Sequence, residues 1–131
     1  MIVLDTHVII WDALKPKSLS TPARQAIDQA NQQDGIIICD ISLWEIAMLL
    51  QKGRLQINTD YITFINLLFQ SNQYILYSIT PAIALQSTLF LGEVNADPAD
   101  RLIAATAVVE NAVLVTADKN LRQATSIPTL W

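Results

Sequence analysis

The chain has 131 residues, within the roughly 100–200 of one ordinary domain, so a single domain over 1–131 with a real apolar core is expected. Hydrophobic residues make up 52% and charged residues 15%, which argues against a disordered segment or a solvated helical rod and is explained by a sheet buried on both faces or by a partly apolar binding surface. The net charge of −4 argues at first against a polyanionic partner, yet if metal occupied four of the twelve acids, the other eight would balance the eight Lys and Arg.

The opening "MIVLDTHVII" has no basic stretch and is broken by Asp5 and His7, so it does not read as a secretory leader. No apolar run approaches the roughly 18 residues of a membrane span, and the lone Cys39 permits no internal disulfide. A cytoplasmic protein with no membrane contact is expected.

Residues 2–4, "IVL", predict a first strand, followed by a short helix carrying Val8, Ile9, Trp11 and Leu14. Thr21 and Pro22 open a second helix after the loop "KPKSLS", and Gly35 closes that unit. "IIIC", 36–39, is a continuous apolar run suited to a doubly covered parallel strand. Ser42 then starts the helix "SLWEIAMLLQKG", ended by Gly53. Tyr61, Ile62, Ile65, Leu68 and Phe69 predict a helix over about 59–71, with "YILYSI" as the next strand. "TPAIALQSTLF" reads as a helix with Pro81 at its first position, and Asp97 and Pro98 open another that runs to about Glu110. "VLVT", 113–116, is a buried strand and "IPTL" a short edge strand.

This βαβα alternation predicts an α/β fold, a three-layer α/β/α sandwich around a mostly parallel sheet with right-handed crossovers. Such sheets bind ligands at the carboxyl ends of their strands. Asp5 directly follows the first strand, and Asp118 lies two residues past "VLVT". Glu45 falls in the first turn of the helix after "IIIC", and Asp100 in the first turn of the helix feeding "VLVT". Four carboxylates from four segments are therefore expected at one edge.

Singly, each has an ordinary structural role. Ser42 and Glu45 match a capping box, Asp97 an N-cap with Asp100 facing the helix dipole, and Asp5 and Asp118 suit turns. Capping and turns give no reason to favour one edge of the sheet, so the set as a whole points elsewhere. Clustered carboxylates repel, and either some protonate or a cation neutralises them. An oxygen-only donor set suits Mg²⁺ or Mn²⁺, while one His and one Cys cannot build a conventional zinc site. Such an ion activates water and clamps phosphoryl oxygens, which is the chemistry of phosphodiester hydrolysis.

"IVLDTHVIIW", "ISLWEIAMLLQKGRL", "DPADRLIAATA" and "LVTADKNL" resemble, in order and spacing over nearly the whole chain, the PIN-domain ribonucleases of the VapC toxin type. By that resemblance Asp5, Glu45, Asp100 and Asp118 are the catalytic, metal-holding quartet. Thr116 is the hydroxyl residue that steadies the site, and Thr6 holds the Asp5 turn, with Asp97 starting the Asp100 helix. The resemblance also implies Mg²⁺- or Mn²⁺-dependent endonucleolytic cleavage of RNA, neutralisation by a cognate VapB-like antitoxin, and a homodimer. One departure is Ala99, where the family often carries Phe, with Asn95 and Ala96 in place of basic residues before it.

Lys52, Arg54, Arg101, Lys119 and Arg122 are the candidates for RNA phosphate contact, although Lys52 and Arg54 also suit a helix C-terminus. His7 is assigned a packing or hydrogen-bonding role. Trp11, Leu14, Trp44, Leu49, Tyr61, Phe64 and Leu68 are read as core, some of them available to an antitoxin groove. A haloacid-dehalogenase-like phosphatase fails because it needs a second Asp where His7 stands. The alternative function is a catalytically silent PIN-like or receiver-like regulatory domain that binds a cation and a protein partner.

Overall fold

The computed structural model describes residues 1–131. In chain order the elements are β1 (Ile2–Leu4), α1 (Thr6–Leu14), α2 (Thr21–Gln32), β2 (Ile36–Cys39), α3 (Ile41–Gln51) and α4 (Tyr61–Ser71). They continue with β3 (Tyr74–Tyr77), α5 (Pro81–Ser87), α6 (Pro98–Val109), β4 (Val113–Val115), α7 (Lys119–Gln123) and β5 (Thr129–Leu130), and a 3-10 turn at Pro16–Ser18 lies between α1 and α2. The strands form one sheet in the order β3-β2-β1-β4-β5. Every neighbouring pair is parallel, so the sheet is wholly rather than mostly so.

Successive strand residues feed opposite cores, as a period of two requires. Val3, Ile37 and Leu114 pack on one face with Ile83 and Ile103 from α5 and α6. Leu4, Ile38 and Val115 pack on the other with Val8, Ile27 and Phe64 from α1, α2 and α4. The continuous apolar runs are thus explained: a strand covered on both faces has no position left for a polar side chain. The result is the expected α/β/α sandwich, and no helix is long and apolar enough to cross a membrane.

Local chemistry sets the helix starts. Proline stands at the first or second position of α2, α5 and α6, where a missing N–H costs nothing. Ser20 and Thr80 accept from the amides of Ala23 and Ile83, each at 3.2 Å. The expected capping box at Ser42 does not form. The chain passes from β2 straight into helix at Asp40, whose backbone is already helical, so Ser42 lies inside α3 and is fully buried. Glu45 consequently sits two residues deeper in the helix than expected.

Other expectations need correction. Of the residues read as core, Phe64 and Leu68 are buried, Trp11, Leu49 and Tyr61 are half-buried, and Leu14 and Trp44 are exposed. The helix expected to reach Phe90 stops at Ser87, and α7 was not anticipated.

Gly35 joins α2 to β2 with φ of +86°, and a Cβ there would lie 2.9 Å from the Gln73 carbonyl oxygen. That carbonyl accepts the ladder hydrogen bond from Ile36 N at 2.8 Å. Gly35→Ala therefore strains the backbone and presses on the β2–β3 ladder together. A loss of about 1–3 kcal/mol is expected in urea unfolding. An unchanged midpoint would show that the turn relaxes freely.

Candidate active site

The site is built outward from Asp5, which ends the central strand and is 7% exposed. Its Oδ1 accepts from Thr6 N at 2.8 Å, and its Oδ2 accepts from the Thr116 hydroxyl at 2.7 Å. The β1–β4 register supplies that second donor: Leu4 pairs with Val115, so the residues that follow them stand side by side. The Thr116 oxygen in turn accepts from Asp118 N at 3.0 Å.

Thr6 serves two acids at once. Its amide holds Asp5, while its hydroxyl donates to Glu45 Oε1 and lies 2.9 Å from Ser42 Oγ. Ser42 and Glu45 are three residues apart on α3, hence on one face. Sequence reasoning took Ser42 for a cap. The signal it missed was that same spacing, which also brings two side chains to a common neighbour.

Asp97 caps α6, its Oδ1 accepting from Ala99 N at 2.9 Å and from Asp100 N at 3.3 Å. Asp118 caps α7 by accepting from Leu121 N at 3.0 Å. The structure brings Asp5, Glu45, Asp97, Asp100 and Asp118 together around one cavity of about 330 Å³, with His7, Trp11 and Ala117 completing the wall. Asp97 is therefore more than a cap, because it adds a fifth carboxylate. His7 is exposed on the cavity rim, with its ring centroid 6.0 Å from that of Trp11.

Electrostatics follow from the crowding. Burial pushes the Asp5 carboxyl up, opposed by the Thr116 hydrogen bond. Burial likewise raises Glu45, against the hydroxyl of Thr6. Asp100 is pushed up to about 7, first by burial and then by the charges of Asp5, Asp97, Asp118 and Glu45. No three His, Cys, Asp or Glu side chains enclose a common point on their own. The fit to a hard cation rests on the chemistry of the donors, which are carboxylate oxygens throughout.

The basic candidates divide. Arg101 donates from Nε to the Asn95 carbonyl at 2.8 Å and from Nη2 to the Val94 carbonyl at 3.1 Å, so it clamps the loop before α6. That gives it structural work on this loop. Lys52, Arg54, Lys119 and Arg122 are exposed, and none of them lines the acidic cavity. Arg54 lines one neighbouring groove, and Lys119 and Arg122 another.

A parallel α/β sandwich with carboxylates gathered at the carboxyl edge of its sheet defines a class of acid-centred domains. The chain belongs to the PIN-domain family, whose model matches residues 2–126. It is 35% identical over 121 residues to Ribonuclease VapC22 of Mycobacterium tuberculosis, covering 92% of this chain and 89% of the relative. Among solved structures, VapBC2 from Rickettsia felis, bound to a DNA fragment from its promoter, is similar with a TM-score of 0.73 and 18% identity, over 99% of this chain and 98% of that one. DNA-bound VapBC from Salmonella typhimurium is similar with a TM-score of 0.70 and 18% identity, over 98% and 96%. FitAcB from Neisseria gonorrhoeae gives 0.66 at 20% identity, over 100% and 97%. At these identities the solved structures speak for the fold.

The raised Asp100 carboxyl makes stability depend on pH. Between the ordinary value of 3.8 and about 7, the folded chain keeps a proton that the unfolded chain has released. Stability therefore falls as pH rises across that window. Asp100→Asn should flatten this dependence and be more stable than the parent at pH 8 by about 1–2 kcal/mol, after discounting for solvent screening. Urea unfolding at pH 5 and pH 8 in EDTA measures both. Identical profiles for parent and variant would show that the charges do not interact.

Proposed function

We propose that the chain is a VapC-type ribonuclease toxin that hydrolyses RNA phosphodiester bonds and is held in check by a VapB-like antitoxin. The observation that carries this reading is the meeting of Asp5, Glu45, Asp100 and Asp118 in one cavity at the carboxyl edge of the sheet. The substrate class rests on the resemblance to Ribonuclease VapC22. Antitoxin control rests on the similarity in fold to toxins solved as VapBC complexes.

In this reading Asp5, Glu45, Asp100 and Asp118 are the catalytic and metal-holding residues. A bound Mg²⁺ or Mn²⁺ supplies an activated water and neutralises charge on the phosphate. Asp5 is the fixed point, its two oxygens each held by one donor, with lone pairs left for the cavity. Thr6 holds the Glu45 carboxylate against α3, and Thr116 ties Asp5 to the turn that bears Asp118. Asp100 and Asp118 reach the cavity from the starts of α6 and α7, so the rigidity of two helices aims them. Thr6, Thr116 and Asp97 are positioning residues.

Exposed apolar side chains suit the partners of such a toxin. Leu14, Ile62 and Leu67 on α1 and α4 offer surface to an antitoxin. Ile75 and Leu76 on the edge strand β3, with Leu85 on α5, offer surface to a second copy in a homodimer.

Purified chain incubated with end-labelled RNA is expected to cleave it in Mg²⁺ or Mn²⁺ and to stop in EDTA. Asp100→Asn should remain folded and lose about 10²–10³ in rate, because an amide cannot supply the charge a cation needs. Asp97→Asn should keep much of the activity, since Asn caps as well as Asp and the four carboxylates of Asp5, Glu45, Asp100 and Asp118 remain in the cavity. Cleavage undiminished in EDTA would overturn the metal requirement. A folded chain inert towards RNA in both metals would favour the silent, partner-binding domain.

Expression of the chain alone should arrest growth, and co-expression of a small neighbouring DNA-binding protein should restore it. Harmless expression of a chain that is active in vitro would remove the toxin assignment and leave the nuclease.

A further inference from the structure

Three of the four carboxylates are tied to one another through hydroxyls. Thr6 joins Asp5 to Glu45, and Thr116 joins Asp5 to the amide of Asp118. Asp100 has no such tie, since its amide bonds only to Asp97 at the same helix start. After α6 the chain must pass through β4 before it reaches Asp118 at the start of α7.

The two helices are joined instead by the stretch 93–95, just before α6, which both of them grip. From α6, Arg101 donates to the carbonyls of Val94 and Asn95. From α7, the Asn120 side chain spans the same stretch: its Oδ1 accepts from Asn95 N at 2.8 Å and its Nδ2 donates to the Glu93 carbonyl at 3.1 Å. The side-chain amide thus pairs as a peptide group would, and a carboxylate or a methyl in its place could not make both bonds. The Glu93 carboxylate closes the far side. Its Oε1 accepts from Thr125 N at 3.2 Å and from the Thr125 hydroxyl at 2.7 Å, and its Oε2 accepts from the Ser126 hydroxyl at 2.5 Å. Below the stretch, Val94 and Leu121 are buried in one apolar cluster. Arg101 directly follows Asp100, and Asn120 lies two residues past Asp118, so the linkage begins and ends beside the two acids.

We propose that Asn120 and Glu93 are positioning residues, forming a latch that fixes the start of α6 against the start of α7 and so holds Asp100 in the cavity with Asp118. The inference rests on the metal-holding reading of these acids and deepens it. In the absence of a cation the carboxylates repel one another, and the latch opposes that push. A cation then meets a site already assembled. Without the latch, binding must first order the two helix starts, and affinity falls by the cost of that ordering.

Calorimetric titration of Mn²⁺ into the intact chain tests the latch apart from any cutting of RNA. Asn120→Ala and Glu93→Ala should each weaken Mn²⁺ binding about tenfold. Glu93→Gln should recover part of the Glu93→Ala loss. Both variants lack the charge, so the recovery isolates the hydrogen bonds to Thr125 and Ser126. In the Asp100→Asn chain, titrated to millimolar metal, adding Asn120→Ala should cost about twofold or less, because a latch that acts through Asp100 has nothing left to position. Circular dichroism shows which variants are folded. Glu93 is only half-buried, and its variants carry the test if Asn120→Ala does not fold.

Parent-like Mn²⁺ affinity in the folded variants would overturn the latch and leave the metal site standing. An equal tenfold loss in the Asp100→Asn background would overturn it too, by showing a general loosening of the fold. A parent chain that takes up no Mn²⁺ would remove the metal-holding reading itself, and the latch with it.

Discussion

A carboxylate buried at the end of the central strand is the constraint on which the site depends. Asp5 follows β1, which has a neighbour on either side, so little water reaches it. An unpartnered charge in such a place would cost several kcal/mol. Two donors prevent that, and neither is available without the fold around it. Thr6 N is in place because α1 starts at once, and the Thr116 hydroxyl because β4 pairs in register with β1. Thr6 then passes the constraint on to α3 through Glu45 and Ser42. A shift of β4 by one residue would strand the Asp5 carboxylate and misplace Asp118 together.

The choice between capping a helix and facing a ligand proves to be no choice. Asp5, Asp97 and Asp118 are the N-caps of α1, α6 and α7, and all three line the cavity. For Asp97 and Asp118 the cap uses Oδ1, which leaves the other oxygen to the cavity. Three helices thus begin at the same place. The partial positive charge at each start offsets some of the repulsion among the acids it holds. The cap fixes the side chain's direction, and the carboxyl group that caps is the one that lines the cavity.

Much of this was legible in the sequence, and the reasons can be given residue by residue. Strands covered on both faces read as unbroken apolar runs, so "IIIC" and "VLVT" located β2 and β4, and with them the edge where Asp5 and Asp118 lie. Prolines marked the starts of α2, α5 and α6. The start of α3 was misread because Ser42 and Glu45 have capping-box spacing, which also suits two neighbours inside a helix that share an outside partner. The five residues of α7 are too few to show a period. Helical spacing identified which residues share a face but not whether that face is covered, and so Trp44 and Leu14 were wrongly placed inside.

Net charge is silent on arrangement for a related reason. A total of −4 describes a surface only if charges are mixed over it, and here they are not. Five of the twelve acids face one cavity, while Lys15 and Arg54 line one separate groove and Lys119 and Arg122 another. At the roughly 8 Å screening length of physiological salt, a phosphate resting in a groove responds first to the cations that line it. Composition alone cannot separate this sorted arrangement from an evenly acidic surface, because a net charge carries no information about where the charges lie.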